Sequence, residues 1–327
     1  MSVFKINNNT SKDRNMFFDG QVDIARYDDV KYPQFDKLTD KQLGFFWRPE
    51  EVDILRDAKD FKDLTESEKH IFTANLKRQI LLDSIQGRGP NLALLPIVSL
   101  PEIETWIETW TFSETIHSRS YTHIIRNIFP DPSVVFDGIL DIEQITDCAD
   151  SISQHYDHLM DMNAMSVTTK DRGFGSYKHK RALWMCLNAI NALEGIRFYV
   201  SFACSWAFAE LKKMEGNAKI IKLIARDENI HLASTISMLK LLPAEDKDFA
   251  KLQVECADEV LEMFEEVVVQ EMEWADYLFK DGSMIGLNAN VLKDYVQWIA
   301  SKRCQAIRLP HTFKGGTNPL PWTQSWI

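Results

Sequence analysis

The sequence predicts an all-α protein: a helical bundle with additional helices and a dinuclear metal site in the bundle core. Three observations carry this. Glu-x-x-His occurs twice, at Glu114–His117 and Glu228–His231, within stretches of helical periodicity. At about 100° per residue, positions i and i+3 share one side of a helix, so each pair aims a carboxylate and an imidazole at one point. Two further acids, Asp83 and Glu194, precede these pairs by 31 and 34 residues, about the separation an antiparallel helix hairpin requires. The order acid, then acid plus imidazole, thus occurs twice on four long helices, which is the pattern of a carboxylate-bridged two-metal site.

The helices follow from local signals. Residues 1–40 are polar with little periodicity and read as an extended arm with short turns. Pro49-Glu50-Glu51 looks like a helix start. Thr65-Glu66-Ser67-Glu68 resembles a capping box opening a helix to about residue 86, stopped by Gly87-Arg88-Gly89-Pro90. A long helix covers 101–127 and ends at Phe129-Pro130-Asp131-Pro132. Helices near 133–140 and 142–161 come next, then a loop at 162–178 with room for a small hairpin. Further helices are expected at 178–213, 217–241, 246–279 and 287–306. Residues 310–327 form a C-terminal extension rich in Pro and Trp, and the whole chain reads as one domain.

Composition narrows the class. Of 327 residues, 45% are apolar and 26% charged, as in a soluble globular protein. A net charge of −11 argues against nucleic-acid binding. The longest nearly uninterrupted apolar stretch, Leu92 to Leu100, contains Pro96 and is too short to span a bilayer. The N-terminus has no signal-peptide core. Five scattered cysteines without a Cys-x-x-Cys pair read as reduced thiols in a cytoplasmic protein.

The surroundings of Glu194 argue that these acids lie inside. Residues 187–202 are largely apolar around the helix, and a buried ionised carboxylate is costly unless it is paired or bound to metal. Two divalent ions would cancel four converging negative charges. Oxygen-rich donors with two imidazoles suit iron or manganese, and the lack of thiolates argues against structural zinc. Tyr121 lies one turn beyond His117 on the same face. The positions one or two turns from ligands elsewhere are Phe198, Phe202 and Ile224, all apolar. A phenol next to redox-capable metals in such a pocket is a candidate one-electron donor whose oxidised form can persist. On residue type alone, Trp47 reads as a core anchor. His123, His155 and His158 read as surface or structural, since no acids converge with them.

Longer stretches resemble a known family. FFWRPEEVD (45–53), LLDSIQGRGP (81–90), SETIHSRSYTHIIRN (113–127), NALEGIRFYVSFACS (191–205), EGNAKIIKLIARDENIH (215–231), WADYLFKDGSMIGLN (274–288) and NPLPW (318–322) resemble the small, radical-generating subunit of class I ribonucleotide reductase, of the aerobic bacterial and phage type. The resemblance implies a ferritin-like bundle working as a homodimer with a separate large (alpha) subunit. It implies Asp83, Glu114, His117, Glu194, Glu228 and His231 as iron ligands and Tyr121 as the site of a stable tyrosyl radical. Phe198, Phe202 and Ile224 match the pocket that protects the radical. The implied cofactor is di-iron-oxo, two iron ions per chain assembled with dioxygen, and manganese can use the same ligands. Trp47 and Asp227 match the family's electron and proton route, with Asp227 linking Trp47 to His117. The radical is then passed to a cysteine of the large subunit, where ribonucleoside diphosphates are reduced.

Two departures accompany the match. The family's flexible tail beyond the NPxPW segment, with its redox-active Tyr and docking residues, is expected to be absent after Ile327. Little of the family's sequence is recognisable at 162–178. Two other functions share parts of the pattern. A ferritin-like di-metal oxidase of the desaturase or hydroxylase type would want a substrate tunnel in place of Phe198 and Phe202. An iron-storage protein would need many ions per chain and a cage assembly.

Overall fold

The computed structural model describes residues 4–7, 9–168 and 173–327. Its α-helices are α1 (Pro33–Gly44), α2 (Leu55–Asp63), α3 (Glu66–Gln86), α4 (Gly89–Leu94), α5 (Pro101–Ile128), α6 (Ser133–Phe136), α7 (Glu143–Thr168), α8 (Tyr177–Ala192), α9 (Phe198–Glu210), α10 (Glu215–Glu245), α11 (Lys247–Glu255), α12 (Ala257–Leu278) and α13 (Ala289–Ile307). Among the described residues there are no strands, only isolated bridges of Phe17 with Val98 and Met284 with Leu287.

The bundle that matters for the site has four members: α3, α5, α10 and the nearly continuous pair α8–α9. α3 packs on α5 and α9, and α10 packs on α5, α8 and α9. α1 lies along α5, α7 along α8, and α12 pairs with α13. Asn75, two turns before Asp83 on α3, donates to the Ser201 carbonyl (3.0 Å) and the Ser205 hydroxyl (3.1 Å) on α9. Farther along α3, Gln86 reaches Glu194 (2.7 Å), so the two helices run antiparallel, and positions after Glu194 stand level with positions before Asp83.

Helix ends follow their chemistry. The Thr65–Glu68 box is made in both directions: the Glu68 N–H donates to the Thr65 hydroxyl (3.3 Å) and the Thr65 N–H to Glu68 (2.9 Å). α10 starts on α2. The Asp57 carboxylate accepts the N–H groups of Gly216 (3.0 Å) and Asn217 (2.5 Å), satisfying donors that a helix leaves free in its first turn. This approach needs glycine, because a Cβ at position 216 would come within 2.9 Å of the Asp53 carbonyl.

Several expected elements differ. Part of the expected arm is α1. Its buried positions, Phe35, Thr39 and Gln42, are at helical spacing but two are polar, so hydrophobic periodicity is weak there. Pro49 begins only a 3₁₀ turn, Pro49–Glu51; α2 starts later, where the Asp53 carboxylate accepts the Leu55 N–H (3.0 Å). The expected helix 178–213 is interrupted by a π-helical turn, Leu193–Arg197. The one at 246–279 breaks at Cys256, which no Gly or Pro marks. In the expected loop at 162–178, helix continues through Thr168, and Ser176 caps α8 through the His179 N–H (3.4 Å). Residues 169–172, where a hairpin was allowed for, lie outside the described residues.

Candidate metal centre

All six acids and histidines expected as ligands are fully buried in the bundle: Asp83 on α3, Glu114 and His117 on α5, Glu194 in the π turn, and Glu228 and His231 on α10. Their donor atoms form two groups, Asp83/Glu114/His117/Glu228 and Glu114/Glu194/Glu228/His231, in each of which one atom per residue lies within 4.8 Å of the others. Glu114 and Glu228 belong to both groups. His117 Nδ1 lies 2.9 Å from one Glu114 oxygen and 3.2 Å from one Glu228 oxygen. His231 Nδ1 lies 3.0 Å and 3.2 Å from the other two. Two carboxylates thus face two imidazoles symmetrically, with a terminal acid at each end: Asp83 beside the His117 group, Glu194 beside the His231 group.

The electrostatics show what such a cluster requires. Burial and the Glu114 charge push the Asp83 pKa well above the carboxylate range, and burial and the Glu228 charge do the same for Glu194. Burial opposes ionisation of Glu114, but the two imidazoles outweigh it and its pKa falls to about 2. Burial also opposes a charged His231, yet Glu228 and Glu114 raise it to about 10. Both oxygens of Asp83 and one of Glu194 lack a well-formed hydrogen bond, the Tyr121 hydroxyl being the donor nearest Asp83. Buried acceptors left unpaired beside other carboxylates are costly. Cations at the two groups would supply the absent partners, so these residues fit a metal pair.

Four of the six are held from behind. Gln86 donates to Glu194 (2.7 Å) and accepts the Tyr156 hydroxyl (2.8 Å). Trp110 donates to Glu114 (3.0 Å). His231 Nε2 meets the Ser113 hydroxyl (2.8 Å), and His117 Nε2 meets Asp227 Oδ2 (3.2 Å), leaving both Nδ1 atoms facing the acids. Such partners fix ring orientation and tune basicity. Trp110, one turn before Glu114, and Ser113, its immediate neighbour, carry a sequence signal, being on its helix. Gln86 lies three residues beyond Asp83, but nothing in the sequence points to Tyr156 on α7.

Trp47 is almost fully buried and donates its Nε1–H to the same Asp227 oxygen (2.8 Å). The indole and the His117 ring lie 6.4 Å apart, 28° from parallel. Burial disfavours an ionised Asp227, but the hydrogen bond and charge of His117, with the Trp47 hydrogen bond, together outweigh it and its pKa is lowered. A continuous hydrogen-bonded line therefore runs Trp47–Asp227–His117. Tyr121 is fully buried; burial first, and the Asp83 charge second, keep its phenol protonated. Its hydroxyl has no well-formed hydrogen bond. Phe198 and Phe202 are fully buried and stacked at 5.8 Å, 6° from parallel, and Ile224 is fully buried. Neither metal group includes His123, His155 or His158.

Residues 25–319 match the family model described as ribonucleotide reductase, small chain. The chain belongs to the ribonucleotide reductase small-chain family. It is 55% identical to ribonucleoside-diphosphate reductase 1 subunit beta of Escherichia coli O157:H7, over 95% of this chain and 86% of that one. It is 53% identical to the subunit beta of Haemophilus influenzae, over 100% and 90%. The ribonucleotide reductase R2 subunit from Clostridium botulinum shares the fold at a TM-score of 0.86 with 23% identity, covering 100% of this chain and 98% of that one. As a small chain of this family, the protein is the beta-type subunit of a ribonucleoside-diphosphate reductase, built on a ferritin-like bundle.

Proposed function

We propose that this small chain generates a stable radical at Tyr121 and passes it, through the line that includes Trp47 and Asp227, to a large subunit that reduces ribonucleotides. The observation that carries this reading is the Trp47–Asp227–His117 line ending on one of two four-residue groups that share Glu114 and Glu228. Asp83, Glu114, His117 and Glu228 would hold one ion, and Glu114, Glu194, Glu228 and His231 the other. Iron is the expected metal, and manganese can use the same donors. When bound, the pair supplies a one-electron oxidant derived from dioxygen.

The chain's own residues supply the rest. Tyr121 is placed to give up one electron to that oxidant and its phenolic proton toward the Asp83 side of the metal site, leaving a neutral ring radical. Phe198, Phe202 and Ile224 keep water and reductants from that ring, which lengthens its life. Asp227 holds His117 with Nδ1 facing the metal site and offers Trp47 an ionised acceptor for its N–H proton. An indole whose proton has such an acceptor loses an electron more easily than an isolated one. We read the chain as one domain, acting as a homodimer in the cytoplasm of a bacterium or of a phage-infected host. None of its described helices is long and apolar enough to cross a membrane.

Tyr121→Phe tests the assignment. The variant is expected to bind two metal ions per chain and to give no tyrosyl signal in electron paramagnetic resonance after iron and oxygen are added. A wild-type radical in that variant would move the radical to another residue. Lost metal binding would make Tyr121 a ligand instead.

A further inference from the structure

Within the four-helix core, the π turn Leu193–Arg197 stands between α8 and α9, and Glu194 sits in it. The Phe198 N–H reaches back five residues to the Leu193 carbonyl. A π turn holds one residue more than α-helical geometry would, and it is rare unless something outside the helix sustains it. Relaxing it to α geometry would turn Glu194 by about 100° and slide it about 1.5 Å relative to α9. A ligand set tolerates displacements of only about 0.5 Å.

Two arginines grip this turn. Arg303, on α13, donates its Nε–H to the Gly195 carbonyl (2.8 Å) and lays its guanidinium over the Tyr199 ring, 4.5 Å from the centroid. A Cβ at position 195 would come within 3.1 Å of the Arg303 Cγ and Cδ atoms, so the glycine is what lets the arginine stem reach the carbonyl. Arg197, the last residue of the turn, is buried. It donates to Glu271 (3.2 Å) and Gln270 (2.7 Å) on α12 and to Ser151 (2.8 Å) on α7. Glu271 also binds Arg78 on α3. These bonds act on the backbone and the end of the turn rather than on the Glu194 carboxylate.

We propose that Arg303, through the Gly195 carbonyl, and Arg197, through Glu271, are positioning residues that hold the π turn and so set the reach of Glu194 into its metal group. Loss of the Arg303 contact then weakens the Glu194/His231 site selectively, because Asp83 and His117 lie on helices that Arg303 does not grip. The inference rests on Glu194 being a ligand, and the experiment separates the two.

Mn(II) is titrated calorimetrically into apoprotein, and bound manganese is counted by electron paramagnetic resonance, for wild type, Glu194→Ala, Arg303→Met, Arg303→Lys and Gly195→Ala. Circular dichroism and the thermal midpoint report folding. Arg303→Met is expected to fold, to keep one site unchanged and to weaken the other by about ten-fold or more. Arg303→Lys, which keeps the charge but has no Nε–H at that position, is expected to resemble it. Gly195→Ala should shift the same site in the same direction by less. Two wild-type sites in folded Arg303→Met, or equal weakening of both, overturn the proposal. If Arg303→Met does not fold, Arg303→Lys and Gly195→Ala decide by the same criteria. Loss of one site in Glu194→Ala with both retained in Arg303→Met overturns the positioning role alone. Two wild-type sites in Glu194→Ala overturn the ligand assignment and the positioning role with it.

Discussion

Replacing Asp227 by Asn probes the link between the metal site and Trp47 with little change in volume. Asp227 Oδ2 accepts both the Trp47 Nε1–H (2.8 Å) and a hydrogen bond with His117 Nε2 (3.2 Å), and Oδ1 lies 3.5 Å from Arg226. In the variant, an amide oxygen at the Oδ2 place can still accept from both partners, though without a charge and with NH₂ turned toward Arg226; in the flipped amide the NH₂ takes the Oδ2 place. Where that NH₂ faces His117 Nε2, donor meets donor. The imidazole is then driven toward the tautomer with its proton on Nδ1, the nitrogen that faces Glu114 and Glu228. A charge-assisted hydrogen bond contributes roughly 1.5–3 kcal/mol. Loss of a carboxylate behind a metal-bound histidine costs about 10–100-fold in metal affinity, which is about 1.4–2.7 kcal/mol. The two estimates agree, so most of the lost interaction should surface as weaker metal binding at the His117 group. Competition between apoprotein and a coloured chelator for Mn(II), with a thermal melt of the apoprotein, separates affinity from folding. Wild-type affinity together with wild-type radical yield in Asp227→Asn would refute the role given to this carboxylate.

Three further outcomes test other parts of the account. Trp47→Phe keeps a ring but loses the N–H to Asp227; it should fold and bind two metals, and stopped-flow spectroscopy should show altered radical formation or transfer. Wild-type kinetics would return Trp47 to a packing role. Glu271→Gln strips the buried carboxylate from Arg78 and Arg197. It should destabilise the fold by about 3–5 kcal/mol in urea unfolding, and a loss below about 1 kcal/mol would mean that the guanidinium groups find other partners. His179 is packed against Phe18 and Phe174 and bonded to Asn163 (2.7 Å); burial lowers its pKa from 6.5 to about 4. Its folded-state pKa lies below the unfolded one, so the unfolded chain takes up the proton first. Its contribution is complete above pH 6.5 and is lost as pH falls from there through about 4. The urea midpoint of His179→Asn should accordingly fall less than that of wild type over this window, and parallel curves would contradict the assignment.

How much of this was legible depended on whether the relevant pattern is local. The Glu-x-x-His pairs are short, periodic and placed on strongly helical stretches, so the convergence of Glu114, His117, Glu228 and His231 follows from helix geometry. Asp83 and Glu194 follow from hairpin-like spacing and, for Glu194, from an apolar neighbourhood. Trp47 was readable only through resemblance, because its partner Asp227 is 180 residues away. α1 stayed hidden because its buried face carries Thr39 and Gln42, which blur the apolar period. The π turn leaves no compositional mark, since its support comes from Arg303 on α13. Arg78, Arg197 and Glu271 would pass for solvated helix charges in sequence, and only the fold brings them together without water. The family match places the chain among ribonucleotide reductase small chains, while the roles of individual residues are proposals that the geometry supports.

Two metal ions in this bundle are proposed to oxidise Tyr121 to a lasting radical. Anaerobic loading of the wild-type protein with ferrous iron, admission of dioxygen, and electron paramagnetic resonance alongside an iron assay test it most directly. About two irons per chain are expected, as the two donor groups require, with a tyrosyl doublet that is absent from Tyr121→Phe. Two irons with no radical in the wild-type protein would contradict it.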